Sequence, residues 1–216
     1  IYNLLDQPVM TQDANLRTTN QWLFTKYDAF GRVAYSGLHS QATIISRTTM
    51  QGLANNTANY TQYVTKTNAP NSLGGTDVYY SNDAIPKGIA EIYTINYYDN
   101  YDDFDIPSAI QVPSTVWETN DVTLRIKGLA TASKVKVLDP STSLGSGKWI
   151  TTVTAYDKKA RPIYIGSYNE YLETTDIVKI QLDFVGKVDK SVSIHTKGSN
   201  EQIVTTDQFT YDHTGR

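Results

Sequence analysis

A six-residue frame recurs along this chain and restricts its fold more than any other feature. Tyr27-Asp28-Ala29-Phe30-Gly31-Arg32 is the clearest copy, and Tyr211-Asp212-His213-Thr214-Gly215-Arg216 repeats it. Tyr156-Asp157-Lys158-Lys159-Ala160-Arg161 keeps all but the glycine, and Leu182-Asp183-Phe184-Val185-Gly186-Lys187 keeps the acid, the glycine and the cation. Tyr2-Asn3-Leu4-Leu5-Asp6-Gln7 is a weaker copy. In all five, an aromatic or apolar residue precedes Asp or Asn, and a basic or amide residue lies five positions after it. A repeat of this kind sets the architecture before any single element is assigned.

The chemistry of one copy predicts a tight turn. Asp28 suits the first position because its carboxylate can accept a backbone N–H from two residues on. Gly31 suits the fourth because it takes positive φ without a steric cost. Such turns join antiparallel strands. The flanks, Trp22 to Tyr27 and Arg32 to Tyr35, are rich in aromatic and β-branched residues, so each copy reads as a β-hairpin. Arg32 opens the return strand within reach of Asp28. Tyr and Thr, at 16 and 28 of 216 residues, reinforce the strand reading. The expected fold is all-β: an antiparallel sheet of repeated hairpins with an inserted region carrying a short helix.

Three regions follow. Residues 1–37 hold two hairpins. Residues 38–147 interrupt the repeat as an insertion or subdomain of mixed strands and loops. Residues 148–216 resume the hairpins. Within the insertion, Ser40 to Ala54 is the candidate helix, with Ser40 as its cap. Asn55 to Gly75 reads mainly as loop, with a short strand at Tyr60 to Val64. Ile89 to Tyr98, Val122 to Ile126 and Val135 to Leu138 read as strands, and Asp139 to Gly147 as a flexible connection. Frames that open 25, 26 and 29 residues apart, at Tyr2 and Tyr27 and at Tyr156, Leu182 and Tyr211, match one hairpin plus its connection, and hairpins set side by side cover one another's edges.

The frame resembles the YD repeat of the Rhs–teneurin superfamily. The arrangement of Trp22 to Tyr35, Tyr93 to Asp99, Gly128 to Leu138 and Trp149 to Ile165 resembles Rhs-type proteins of Bacteroidetes. The resemblance implies a long β-sheet strip. In that family such strips wind into a hollow shell around a C-terminal toxin, or belong to cell-surface adhesion molecules. It also implies a secreted or surface location on a bacterium, with further repeats of the same chain and a C-terminal effector as partners. The long insertion, the small number of copies and the lack of the core segment that ends the shell depart from the family pattern. A copy without its incoming strand at Tyr2, and a turn without its return strand at Arg216, make an internal fragment the expectation.

Chemistry-bearing residues are few. There is no cysteine, which removes disulfides and thiolate metal sites, and a net charge of −3 without a basic stripe argues against nucleic acid as a partner. No run approaches the about 18 apolar residues of a membrane-spanning helix. His39, His195 and His213 share no ligand spacing. Gly145-Ser146-Gly147-Lys148 fails as a phosphate loop, because Thr142 and Trp149 stand where Gly and Ser or Thr are needed. Neither a catalytic residue nor a cofactor is expected.

The acidic run Asp99, Asp102, Asp103 and Asp105 offers hard oxygen ligands for Ca²⁺, yet lacks the EF-hand spacing, and a solvated loop is the competing reading. The acid–base pairs Asp28/Arg32, Asp157/Arg161 and Asp183/Lys187 repeat at turns, which gives Tyr27, Asp28, Gly31, Arg32, Tyr156, Asp157, Arg161, Asp183, Gly186, Lys187, Tyr211, Asp212, Gly215 and Arg216 a structural role. Trp117, Tyr97, Tyr98 and Tyr101 could stack on sugar rings, as could Trp22 and Trp149, against the alternative that they pack in the sheet. Two functions follow: a non-catalytic segment of a YD-repeat scaffold, or an adhesin whose insertion binds glycan or a surface protein.

Overall fold

Strands form where aromatic and β-branched residues cluster, and the turn frames decide where they reverse. The computed structural model describes residues 1–101, 106–118, 121–139 and 147–212. The chain is all-β, with twelve strands and three short helices among these residues. It divides into two compact units, residues 1–96 with 138–147 and residues 97–137 with 148–216. The stretch 38–147 is thus shared between both. No helix among the described residues is long and apolar enough to cross a membrane.

Unit 1 contains β1 (Met10–Thr11), α1 (Ala14–Thr18), β2 (Gln21–Tyr27), β3 (Val33–Ser40), α2 (Arg47–Ala54), β4 (Lys66–Leu73), β5 (Thr76–Tyr80) and the start of β6 (Glu91–Tyr98). Strands β1, β2, β3 and β6 are neighbours in that order, each antiparallel to the next. Along β2 the buried positions alternate as Trp22, Phe24 and Lys26. That is the period of a strand with one face on a core. Phe24 meets the ring of Tyr35 edge-on at 6.0 Å, and Tyr35 meets Tyr80 at 6.1 Å. Ile92, Ile95, Val78, Val64 and Met50 complete the core of this unit.

The insertion departs from the sequence expectations at several points. The helix begins at Arg47 rather than Ser40, because Ser46 is the residue whose hydroxyl accepts the first-turn amide of Thr49, at 3.1 Å. Ser40 instead ends β3. Within the expected loop 55–75, residues Lys66–Leu73 form β4, which pairs with β5 across the Gly74-Gly75 turn. A register shift between Lys66 and Asn71 absorbs Pro70, which cannot donate to a ladder. Tyr60 to Val64 makes two isolated bridges, Thr61 with Ala84 and Val64 with Asp28, rather than a strand.

Unit 2 contains a 3-10 turn at Ser108–Ile110 and strands β7 (Ala130–Lys136), β8 (Trp149–Tyr156), β9 (Pro162–Asn169), β10 (Thr174–Leu182), β11 (Val188–Lys197) and β12 (Ile203–Gln208). They lie side by side in chain order, all antiparallel. β7 begins at Ala130, ahead of the expected start at Val135. Val122 to Ile126 is not a strand: Thr123 donates to the Tyr156 carbonyl at 2.8 Å and Ile126 is buried, so this segment lies as a covering loop. The core gathers Ile110, Val153, Ala155 and Tyr164, with Ile106, Val112, Val116 and Val122 packed on it. Burial then fades along the sheet. β10 and β11 are largely half-buried, and every residue of β12 is exposed. The Asp139 to Gly147 connection lies almost wholly outside the described residues.

Candidate functional site

Four of the recurring frames fold into one device. In each, the side-chain oxygen of the residue that opens the turn accepts backbone N–H groups further round it. Asp28 Oδ1 accepts from Phe30 and Arg32, both at 2.9 Å. Asp157 Oδ1 accepts from Lys159 at 2.8 Å and Arg161 at 2.9 Å. Asp183 Oδ1 accepts from Gly186 at 2.7 Å and Lys187 at 2.8 Å. In the weakest copy Asn3 Oδ1 does the same for Leu5 at 3.0 Å and Gln7 at 2.9 Å. The backbone N–H of the same residue donates to the carbonyl four residues on, at 2.8–3.0 Å in all four. Ladder irregularities fall directly before the Asp28, Asp157 and Asp183 turns, at Lys26/Tyr27, Ala155/Tyr156 and Gln181/Leu182, as a bulged hairpin requires.

The far carboxylate oxygen receives the cation. Arg32 Nε and Nη2 both reach Asp28 Oδ2 at 2.6 Å. Arg161 Nε and Nη2 reach Asp157 Oδ2 at 2.7 and 2.6 Å. A planar guanidinium gripping a carboxylate through two N–H groups is both stronger and more directional than a lysine pair. The copy at Tyr2 replaces it with a neutral equivalent, Asn3 Nδ2 donating to Gln7 Oε1 at 2.8 Å. Burial alone would raise the Asp157 carboxyl, but the Arg161 guanidinium and the amides of Arg161 and Lys159 outweigh it and hold it below the usual carboxylate range.

The fourth position of each of these four turns is left-handed: φ is +59° at Asp6, +78° at Gly31, +60° at Ala160 and +101° at Gly186. Only glycine accepts this freely, so Ala160 is strained where the glycines are not. Ala160→Gly is expected to stabilise the protein by about 1 kcal/mol, read as a higher urea midpoint at unchanged slope. A lower midpoint would refute the assigned strain.

Neighbouring turns also hold one another. Arg161 Nη1 donates to the Asp183 carbonyl at 3.1 Å, and Lys159 Nζ donates to the Phe184 carbonyl at 2.6 Å while lying 3.9 Å over the Phe184 ring. A Cβ on Gly31 would come within 3.1 Å of Gln7 Nε2, and one on Gly186 within 3.4 Å of Arg161 Nη1. The frame's tyrosine supplies a second tie that the sequence did not disclose. Tyr27 Oη donates to the Pro8 carbonyl at 3.0 Å, and Tyr211 Oη to the Val188 carbonyl at 2.8 Å. Pro8 and Val188 each directly follow the preceding copy. Tyr156 Oη donates to the Ala130 carbonyl at 2.7 Å. Gly215 and Arg216 lie outside the described residues.

The remaining candidates do not converge. Tyr97 is 2% exposed and offers no face to a ligand. Tyr98 is half-buried. Tyr101 is half-buried, and its Oη accepts the backbone N–H of Tyr156 at 3.0 Å. Trp22 and Trp149 are buried. Trp117 borders a cleft of about 210 Å³ whose lining is charged on one side (Glu118, Asp121, Asp157, Arg161) and apolar on the other (Ile163, Ile180, Leu182), while Trp22 edges a wider one of about 510 Å³ beside Arg17 and Arg47, and Tyr101 a small one of about 10 Å³. The Nε1 of Trp117 is buried without a hydrogen-bond acceptor among the described residues, and Lys190 Nζ lies 5.5 Å from its ring centre. Asp121 holds this loop by accepting the N–H groups of Val116, Trp117 and Glu118 at 2.7–3.1 Å.

Asp99 Oδ1 accepts the Gly128 N–H at 2.6 Å, so this carboxylate closes a backbone contact. Asp102, Asp103 and Asp105 lie outside the described residues. Among the described residues no three His, Asp or Glu side chains cluster as metal ligands. His39 is buried between the Gly88 carbonyl and the Gln41 side chain, whereas His195 pairs with Asp176 at 2.6 Å on the surface. His213 lies outside the described residues.

No protein-family model, no curated protein and no solved structure matches this chain.

Proposed function

We propose that this chain is a non-catalytic structural segment of a larger secreted or surface YD-repeat protein, contributing a strip of β-sheet to a shell or scaffold. The observation that carries the reading is the turn device. The Asp28, Asp157 and Asp183 carboxylates each accept two turn amides, guanidinium groups also grip those of Asp28 and Asp157, and Arg161 ties the Asp157 turn to the Asp183 turn. A group so engaged shapes backbone and is not free to act on a substrate. The partners under this reading are further strands of the same protein. The exposed strand β12, which ends the strand order of unit 2, is where such a strand would add. The surface location and an enclosed C-terminal effector rest on the family likeness alone.

The test is a pair of substitutions. Asp28→Ala removes the acceptor of two turn amides and the carboxylate that Arg32 grips, and is expected to cost about 2–3 kcal/mol. Asp28→Asn keeps the amide-accepting oxygen, as Asn3 does in its own turn, and is expected to cost about 1 kcal/mol. Equal melting of Asp28→Ala and the parent protein would sink the structural assignment.

A second reading, a carbohydrate-binding module, is favoured by Trp117. A half-buried indole at the edge of a cleft that pairs charged side chains with apolar ones is a platform for a sugar ring. A glycan panel titrated against tryptophan emission is expected to give a saturable change that Trp117→Phe abolishes. A flat response across the panel would remove this reading.

A further inference from the structure

The most unusual side chain in unit 1 is Lys26. It sits on β2 at an inward-facing position, 1% exposed, where the strand period calls for an apolar residue. Its Nζ lies 5.3 Å from the ring centre of Tyr35 and 6.0 Å from that of Phe24. A buried ammonium in such surroundings is costly unless paired with a carboxylate. Its hydrogen-bond acceptor among the described residues is instead a neutral carboxamide. Nζ meets Asn82 Oδ1 at 2.5 Å, across 56 residues of sequence.

From this geometry we infer that Lys26 and Asn82 form a side-chain amide cross-link, by attack of the Lys26 amine on the Asn82 carboxamide with loss of ammonia. The Asn82 carbonyl carbon is one C=O bond, about 1.2 Å, from the oxygen already in contact, so the amine lies no more than about 3.7 Å from it, at the edge of near-attack distance. The carboxamide is fixed from its other end, since Asn82 Nδ2 donates to the Lys87 carbonyl at 2.8 Å. Tyr35 Oη, whose proton rests on the Ser81 carbonyl at 2.9 Å, stands 3.4 Å from the same Oδ1, and a turn of the hydroxyl brings that proton to Oδ1 as negative charge develops.

The surroundings suit each group to its part. Burial, reinforced by Lys87 and partly offset by Asp83, lowers Lys26 to about 7, so much of it is the neutral, nucleophilic amine near neutral pH. Burial, with the Asp83 charge, raises the Tyr35 phenol, which therefore keeps its proton. The step balances without an oxidant or cofactor. The Nζ lone pair forms the new N–C bond and the carbonyl electrons move to Oδ1. The proton released from Nζ passes across the tetrahedral intermediate to Nδ2, which leaves as ammonia when the carbonyl re-forms. The product joins β2 to the segment that follows β5 by a bond that heat and denaturant do not open.

Mass spectrometry of the whole folded chain tests this. The expected mass is one ammonia below that of the sequence, with a tryptic digest giving a branched peptide that joins residues 18–32 to residues 67–87 and leaves Lys26 uncleaved. Asn82→Ala and Lys26→Met are each expected to restore the full mass. Asn82 is followed by Asp83, so cyclisation onto its own backbone would also release ammonia. Retention of the loss in Lys26→Met, or a digest without the branched peptide, would assign it there and overturn the proposal. The full sequence mass in the folded parent protein would overturn it as well.

Discussion

Gly37→Ala is expected to abolish cooperative folding of unit 1, or to lower its stability by more than about 3 kcal/mol. Gly37 lies on β3 opposite Phe24 on one side and Ile92 on the other. The ladder to β6 slips between Ser36 and Gly37, and the slip brings the β6 backbone close over the glycine. An added Cβ would stand 2.0 Å from the Glu91 carbonyl oxygen, 2.9 Å from Ile92 Cα and 3.0 Å from Glu91 C. None of these atoms belongs to a flexible side chain, so one methyl group would have to push a core strand away from its neighbour. The cost is steric and not conformational. Urea denaturation followed by far-UV circular dichroism measures it, and a midpoint within error of the parent protein would show that the strand approach is looser than described.

Tyr35→Ala is expected to cost about 3–5 kcal/mol. Tyr35 is fully buried and joins the rings of Phe24 and Tyr80, while its hydroxyl donates to the Ser81 carbonyl at 2.9 Å. Truncation opens a cavity between three elements of unit 1 and leaves the half-buried Ser81 carbonyl without its donor. Tyr35→Phe separates the two contributions. It keeps the ring and loses only the hydrogen bond, at about 1–2 kcal/mol. Thermal unfolding of both variants provides the comparison. A Tyr35→Ala loss no larger than that of Tyr35→Phe would mean the ring is not a packing centre.

The turns were legible because their determinants are local. An acid or amide at the first position, tolerance of positive φ at the fourth and a cation or amide at the fifth are read within six residues, and the strands around them follow from side-chain type. The all-β class followed from the same reading. What was not legible depends on distant partners. β4 is polar or turn-like through almost all of its run from Lys66 to Ser72, and only its pairing with β5 makes it a strand. Val122 to Ile126 has strand composition but uses its apolar residues to cover a sheet. Alternation puts Lys26 on the inward face with Trp22 and Phe24, but what meets its ammonium there is an asparagine 56 positions away. Among the sugar-stacking candidates, sequence could not tell Tyr97, sealed in the interior, from Trp117 at a cleft, since both are aromatic residues near acidic loops.

The contacts between successive turns have a mechanical consequence. In unit 2, adjacent hairpins are joined along their strands by the ladder, at a spacing of about 4.8 Å per strand, and again at the rim by Arg161, Lys159 and Tyr211. A ribbon fastened along one line can slide in register under lateral force. A ribbon fastened along two lines behaves like a riveted strip, in which a shift at one hairpin must strain the rivets of the next. Stiffness against shear is thereby written into the six-residue frame itself, and lengthening the strip by another copy extends both fastenings together.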